Sequence, residues 1–173
     1  MLNGIPIFAE LFGLAVFDLD KLSQFQQDHN LEEDLLEVFT SSDLGDQALQ
    51  EGVVIPLLNI PGDYYYLSVS DLEKESPYLK NNQIIIKSNG WVINSSTGIL
   101  HVMGIGYLKK FNRDVVLKNK KFIQFNVVPG WYEVEIVGGV DEDEKLVYEF
   151  NLKRTANKPL FSGDFQDNFN IVD

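Results

Sequence analysis

From Val53 onward the sequence alternates apolar and polar residues in short runs, and this period of two constrains the fold more than any other feature. Turn-forming residues separate the runs at intervals of about 8–12 residues, which is typical of sandwiches and barrels. We therefore expect a mainly β protein, an antiparallel two-sheet sandwich or flattened barrel with a few short helices. The expected strands cover residues 5–19, 53–60, 64–69, 83–94, 98–105, 122–128, 131–137 and 146–153.

A helical pattern separates the first two of these strands. Asn30 and Glu33 predict a capping box, in which Glu33 is the third helical residue. Apolar residues at helical spacing follow over residues 31–39. Two short flanking helices are expected, one beginning at Asp20 and one ending at Gly52. Together they predict an acidic helical insertion near the N-terminus.

The chain has 173 residues and a mass of 19.7 kDa, the size of one ordinary domain. A chain of this length buries roughly 70% of its unfolded surface and needs no metal or disulfide to fold. We expect a single domain over residues 1–173, with the first strand and the acidic helical segment in 1–52, the sandwich body in 53–155 and an irregular tail in 156–173. Three phenylalanines are expected to pack this tail against the body: Phe161, Phe165 and Phe169.

Two segments of the sequence resemble each other. Residues 55–69 align without gaps on residues 123–137, and isoleucine, proline, glycine, tyrosine and valine match as identities. The pattern predicts two copies of a hairpin with a Pro-Gly turn, because proline fixes φ and glycine supplies the positive φ that such turns need. Either a duplication or the general similarity of β-hairpins explains the match.

Missing residues exclude several chemistries. The sequence has no cysteine, which excludes disulfides, thiolate metal sites and cysteine nucleophiles. Its two histidines, His29 and His101, are too few for a three-histidine zinc site. There is no GxxxxGKS/T or GxGxxG phosphate-binding motif and no GxSxG nucleophile motif. The acidic run at residues 141–144 and the pair Asp18 and Asp20 lack the spacing of an EF-hand. We expect no metal and no cofactor.

The apolar first 20 residues favour a core strand over a signal peptide. They lack a basic first region and contain Glu10 in the centre of the apolar run. The run is also too short and too interrupted to span a membrane. The expected location is therefore the cytoplasm, and the absence of cysteine fits a reducing compartment. A net charge of −12 argues against nucleic acid or an anionic membrane as the main partner.

The negative charge is concentrated in the first half of the chain. Residues 1–75 contain 15 acidic and 2 basic side chains, whereas residues 76–173 contain 11 acidic and 12 basic ones. A single negative surface of this kind attracts a basic protein partner and raises the rate of association. The alternative is an ordinary solvated helical face. The residues expected to bind a partner are Glu32, Glu33, Asp34, Glu37, Asp43 and Asp46.

Residues 109–121 have the opposite character, with six basic side chains and one acidic side chain, Asp114. They lie between two predicted strands and are expected to form a loop. Such a loop has several possible roles: binding a phosphate or an acidic partner, pairing with the acidic helices of the same chain, or protecting a strand edge. Nucleic-acid binding is not expected, because the rest of the chain repels phosphate.

Aromatic residues support a second hypothesis, a β-sandwich that binds a small ligand or a glycan. Tyrosine and tryptophan provide large contact areas in ligand sites. Three consecutive tyrosines at residues 64–66 place rings on both faces of one strand, which is also what a central strand covered on both sides requires. The residues expected to contact a ligand are Tyr64, Tyr66, Trp91 and Trp131.

The segment Val127-Val-Pro-Gly-Trp-Tyr-Glu-Val134 resembles the strand–Pro/Gly–x-Tyr–strand hairpin of small acidic β-rich bacterial inhibitor proteins. These include competence nuclease inhibitors and some immunity proteins of contact-dependent toxin systems. The resemblance covers residues 83–153 and transfers no functional residue. It implies an acidic protein that covers the active site of a basic enzyme.

We therefore predict a non-enzymatic protein-binding module of the inhibitor or immunity type, acting as a monomer or as a homodimer paired through an edge strand. The glycan- or ligand-binding sandwich is the alternative. An enzyme is the third hypothesis, and it requires carboxylates such as Asp18, Asp20 or Glu133 to converge in a pocket.

Overall fold

A computed structural model describes residues 1–172 and contains nine strands and four α-helices. The strands are β1 Ile7–Phe8, β2 Gly13–Phe17, β3 Ile55–Leu58, β4 Tyr64–Asp71, β5 Ile84–Ser95, β6 Ile99–Gly104, β7 Ile123–Asn126, β8 Gly130–Val140 and β9 Leu146–Thr155. The helices are α1 Leu19–Asp28, α2 Leu35–Ser41, α3 Leu44–Gln50 and α4 Arg113–Asn119, and 3-10 turns occupy Glu10–Phe12, Asn81–Gln83 and Ile105–Lys110.

The strands form two open sheets, which confirms the predicted two-sheet sandwich over the flattened barrel. The four-stranded sheet has the order β3-β2-β6-β7 and is antiparallel throughout. The five-stranded sheet has the order β1-β4-β9-β8-β5. Its β4 and β9 pair in parallel, the one exception to antiparallel pairing among the strand pairs of the described residues. The cause is topological: β9 follows β8 as an antiparallel hairpin, and β8 and β4 enter the sheet in opposite directions.

The first apolar stretch is not one strand. It is divided into β1, which pairs with β4 in one sheet, and β2, which lies centrally in the other sheet. Leu11 and Phe12 both have positive φ in the turn between them, which reverses the chain between the two sheets. Every residue of β2 is buried, so its sequence is apolar without alternation. It therefore continues the apolar run of the turn before it, and the sequence alone does not show where the strand begins.

The two similar segments, 55–69 and 123–137, are crossover connections and not hairpins. In each, the first strand is an edge of the four-stranded sheet and the second strand belongs to the five-stranded sheet. A buried tyrosine stabilises each crossing, because the Tyr65 hydroxyl donates to the Pro61 carbonyl and the Tyr132 hydroxyl donates to the Val128 carbonyl. Each bond spans four residues, the arrangement of a tyrosine corner in sandwich proteins.

The helical insertion begins and ends differently from the expectation. Helix α1 is capped by Asp18, and Asn30 follows its C-terminus with a φ of 51°. Helix α2 is capped by Asp34, whose carboxylate accepts the Glu37 amide at 3.0 Å. The predicted capping box at Asn30 and Glu33 is therefore wrong. Asparagine also tolerates the left-handed conformation that ends a helix, and Asn30 adopts this conformation after α1 instead of capping α2.

The basic segment is also not a loop. Residues 113–119 form α4, and the Asn112 side chain caps it by accepting from the amides of Asp114 and Val115. Asn112 as a capping residue and the apolar residues Val115 and Val116 are features of a helix that the sequence contains. The many lysines around them favoured the prediction of a loop. Arg113 pairs with Asp20 at 2.8 Å, so one cation of this segment does bind the acidic helices of the same chain.

Residues 156–172 form no strand or helix but pack on the body through aromatic contacts. Phe161, Phe165 and Phe169 surround Trp91, with ring centroids 5.6, 6.3 and 6.0 Å from it. The Tyr148 hydroxyl donates to the Phe169 carbonyl. This segment covers one face of β5 and removes Trp91 from solvent.

Candidate protein-binding surface

Helices α2 and α3 form a tight pair at one end of the sandwich. Gly45 permits their approach, since a Cβ at this position would lie 2.0 Å from the Phe39 carbonyl oxygen. That distance leaves no room for a side chain, so the sequence requires glycine there. The pair lies beside β3, an edge strand of the four-stranded sheet, and next to the 3-10 turn that begins at Ile105.

Six carboxylates lie on this helix pair and on the chain leading into it. We call them the acidic surface, and they are Glu32, Glu33, Asp34, Glu37, Asp43 and Asp46. Five are exposed, whereas Asp34 is half-buried because it caps α2. Glu37 and Asp46 lie in the first turns of α2 and α3, where the helix dipole favours negative charge.

The acidic surface is not neutralised by the protein itself. Within residues 1–172, none of its six carboxylates forms a salt bridge. Acids of the β-sheet body behave differently, because five of them pair with lysines: Asp71 with Lys74, Glu133 with Lys153, Glu135 with Lys87, Glu142 with Lys80 and Asp143 with Lys145. The field of the acidic surface therefore extends into solvent.

An apolar groove of about 230 Å³ lies between the acidic helices and β3. Its walls include Leu36 and Phe39 of α2, Leu49 of α3 and Leu58 of β3, and Asp46 also lines it. Leu36, Phe39 and Leu58 are only half-buried. Protein interfaces commonly combine an apolar centre with a charged rim, and this end of the molecule provides both.

The four aromatic residues expected to contact a ligand do not converge. Trp91 is 1% exposed beneath the C-terminal phenylalanines, and its indole nitrogen donates to Ser88 at 2.7 Å. Trp131 is half-buried, with the Lys21 ammonium 5.7 Å from its ring. Tyr66 is half-buried beneath Lys145, and only Tyr64 is largely exposed. The tyrosines do alternate as expected, since Tyr65 between them points into the core.

The three carboxylates considered for an enzyme also have separate structural roles. Burial alone would raise the pKa of Asp18, but hydrogen bonds from Thr97, Lys21 and Ser95 outweigh it and hold the pKa below its usual value. Asp20 pairs with Arg113, and Glu133 lies exposed beside Lys153 on the five-stranded sheet. Asp18 therefore anchors α1 to the loop after β5 and shares no pocket with Glu133.

A second buried carboxylate, Glu149, lies on β9 of the five-stranded sheet. Burial raises its pKa, although the amides of Tyr78 and Leu79 donate to it at 2.6 and 3.1 Å. These bonds fix the segment before β5 across the sheet, so Glu149 has a structural role in the described chain.

The described residues were also searched for other kinds of site. No group of three or more histidine, aspartate or glutamate side chains in residues 1–172 is arranged to hold a metal ion. Among the helices of the same residues, none is both long and apolar enough to cross a membrane.

The fold and the charge distribution define a two-sheet β protein with an acidic helix pair at one end, and a fold of this kind is known from an enzyme inhibitor. The crystal structure of ComJ from Bacillus subtilis, an inhibitor of the DNA-degrading activity of NucA, matches with a TM-score of 0.50 at 11% sequence identity. The match covers 90% of this chain and 96% of ComJ. The predicted resemblance is thus confirmed for the fold, and it extends beyond residues 83–153. No protein family matches the sequence, and no curated protein does.

The sequence predicted the exposed acids but not the apolar groove beside them. The spacing of Leu36 and Phe39 placed both on one helical face, which was a usable signal. Their incomplete burial was not readable, because it depends on how closely Gly45 brings α3 to α2. Leu58 gave no signal at all, since its exposure follows from the edge position of β3.

Proposed function

We propose that this chain is a non-enzymatic protein-binding module of the inhibitor type, which binds a basic protein through its acidic surface. The observation that carries the proposal is the set of six carboxylates without salt bridges on and before the helix pair that lines the apolar groove, whereas five body acids pair with lysines. A partner that inserts an apolar side chain into the groove and surrounds it with basic residues would satisfy both features.

The comparison with ComJ supports this class of function, because a protein of the same fold inhibits an enzyme. It suggests a DNA-degrading nuclease as the first target to assay. A cytoplasmic location in a bacterial cell completes the proposal, and the absence of cysteine is compatible with it.

Two variants of equal charge test the proposal. The surface variant carries Glu37→Gln, Asp43→Asn and Asp46→Asn. The matched control carries Glu133→Gln, Glu142→Gln and Asp143→Asn, which removes three negative charges from acids that already pair with lysines. Both proteins have the same net charge, so any difference between them reports the position of the charge.

Each protein is immobilised, exposed to lysate of the source cell and washed at low and then high salt. We expect the wild type and the control to retain a basic protein that high salt releases, whereas the surface variant loses it. Equal retention by the two variants would show that the acidic surface is not the binding site. In parallel, DNA degradation by NucA is measured with each protein added, and ComJ serves as the positive control.

A further inference from the structure

A second groove, of about 380 Å³, lies between α4 and the 3-10 turn at Ile105–Lys110. Its floor is apolar and includes Met103, Tyr107 and Val116. Three lysines, Lys109, Lys110 and Lys121, lie around it, and all three are exposed. We call this the lysine groove. No carboxylate belongs to its lining in the part of the chain that the structure describes.

The cations of this groove are not paired within the described chain. Elsewhere in the described chain, five lysines each pair with a carboxylate. Among residues 1–172, Lys109, Lys110 and Lys121 form no salt bridge, although the acidic surface lies on the neighbouring helix pair.

Two carboxylates lie close to the groove without lining it. Glu10 packs against Gly106, and its hydrogen bond to Tyr107 raises the pKa of that tyrosine. The Glu10 carboxylate does not line the groove, whose lining contains three lysines. Asp114 lies in the first turn of α4 and is not among the lining residues.

We propose that the lysine groove binds a small organic anion, a phosphate ester with an apolar or aromatic body. The three ammonium groups bind the phosphate, and Tyr107, Val115 and Val116 contact the body. A volume of about 380 Å³ fits a small molecule, since ligand pockets usually measure about 300–1,000 Å³. This site is independent of the proposed protein-binding function.

The probe is phenyl phosphate, compared with inorganic phosphate and with benzyl alcohol, and binding is followed by amide chemical shifts in the NMR spectrum. We expect saturable shifts of Tyr107, Val115 and Val116 with phenyl phosphate. Inorganic phosphate should bind roughly tenfold more weakly, which corresponds to the loss of the apolar contacts. Benzyl alcohol should produce no saturable shift.

The variant Lys109→Gln/Lys110→Gln/Lys121→Gln should reduce affinity for phenyl phosphate by roughly tenfold or more. The control, Lys118→Gln/Lys120→Gln, removes two lysines of the same segment that do not line the groove and should change affinity less than about threefold at physiological salt. Equal losses of affinity in both variants would show that binding depends on nonspecific charge attraction and not on the lysine groove. Phenyl phosphate that does not saturate, or that shifts residues outside the groove, would overturn the proposal.

Discussion

The acids of the β-sheet body and the acids of the helix pair have different environments. Five body acids pair with lysines, as Glu135 does with Lys87 at 3.2 Å, and Asp18 is buried and hydrogen-bonded. The six acids of the acidic surface form no salt bridge within residues 1–172. The comparison indicates that several charges of the body form contacts within the fold, whereas the charges of the acidic surface form no ion pair in the described chain.

The largest expected effect on stability comes from removing the buried carboxylate of Asp18. Asp18 accepts hydrogen bonds from the amides of Asp20, Lys21 and Thr97 and from the hydroxyls of Ser95 and Thr97. Asp18→Ala leaves these donors without a partner, and we expect the free energy of unfolding to fall by about 3–4 kcal/mol. Asp46→Ala on the exposed surface should change it by less than about 0.5 kcal/mol. Urea denaturation measures both.

Asp18 also has a pH signature, because its pKa is lowered in the folded state. A group of this kind contributes stability above its unfolded pKa, and that stability is lost as the pH falls through the folded value. Asp18→Asn keeps most of the side-chain volume and should abolish this part of the acid dependence. If the variant and the wild type lose stability in parallel below pH 4, the assigned role of Asp18 is wrong.

Glu149 should show the opposite pH dependence. Its raised pKa means that the folded state keeps the proton above pH 4.5, the value of a free glutamate. The folded protein therefore loses stability as the pH rises through this window. Glu149→Gln still accepts from Tyr78 and Leu79, so it should be more stable than the wild type at neutral pH, by about 1 kcal/mol. Thermal unfolding at pH 4 and pH 7 tests this, and a destabilised variant at pH 7 would contradict it.

These two acids show what the sequence could and could not predict. The sequence predicted that the first helix begins at Asp20, whereas in the structure Asp18 caps α1 and Asp20 lies in its first turn. Glu149 alternates with Tyr148 and Phe150 along β9, and this alternation by itself would place Glu149 on an exposed face. Residues 78–79 cover that face of the sheet, and the amides that bind Glu149 come from 70 residues or more away. A period of two identifies a strand and its two faces, but it does not tell which faces other segments cover.

The same limit applies to the candidate site. Exposed acids at helix ends are readable, because capping and dipole rules act locally. The groove at Leu36 and Leu58 joins α2 to an edge strand, and the lysine groove joins α4 to the turn before it. The first groove depends on contacts between elements that are distant in sequence, and the second depends on α4, which the sequence predicted to be a loop. No local sequence pattern therefore predicted either groove.

Removing three charges should have opposite effects in the two regions. The triple change Glu37→Gln/Asp43→Asn/Asp46→Asn relieves repulsion among unpaired acids and should raise the free energy of unfolding by about 0.5 kcal/mol. The change Glu133→Gln/Glu142→Gln/Asp143→Asn breaks three exposed ion pairs and should lower it by about the same amount. Matched urea titrations at low salt measure the difference. If both triple changes shift the free energy of unfolding in the same direction, the position of these charges does not determine their effect on stability.

The smallest expected effect is that of salt on the wild-type protein. Added salt screens repulsion within the acidic surface more than it weakens the paired charges of the body, because a pair of opposite charges has little field at a distance. The melting temperature should therefore rise by about 1–3 °C between 10 and 200 mM sodium chloride. In the surface variant this rise should largely disappear, while the body variant should keep it. A wild-type melting temperature that falls with salt would show that ion pairs of the body dominate, and the acidic surface would then carry no excess field for a partner.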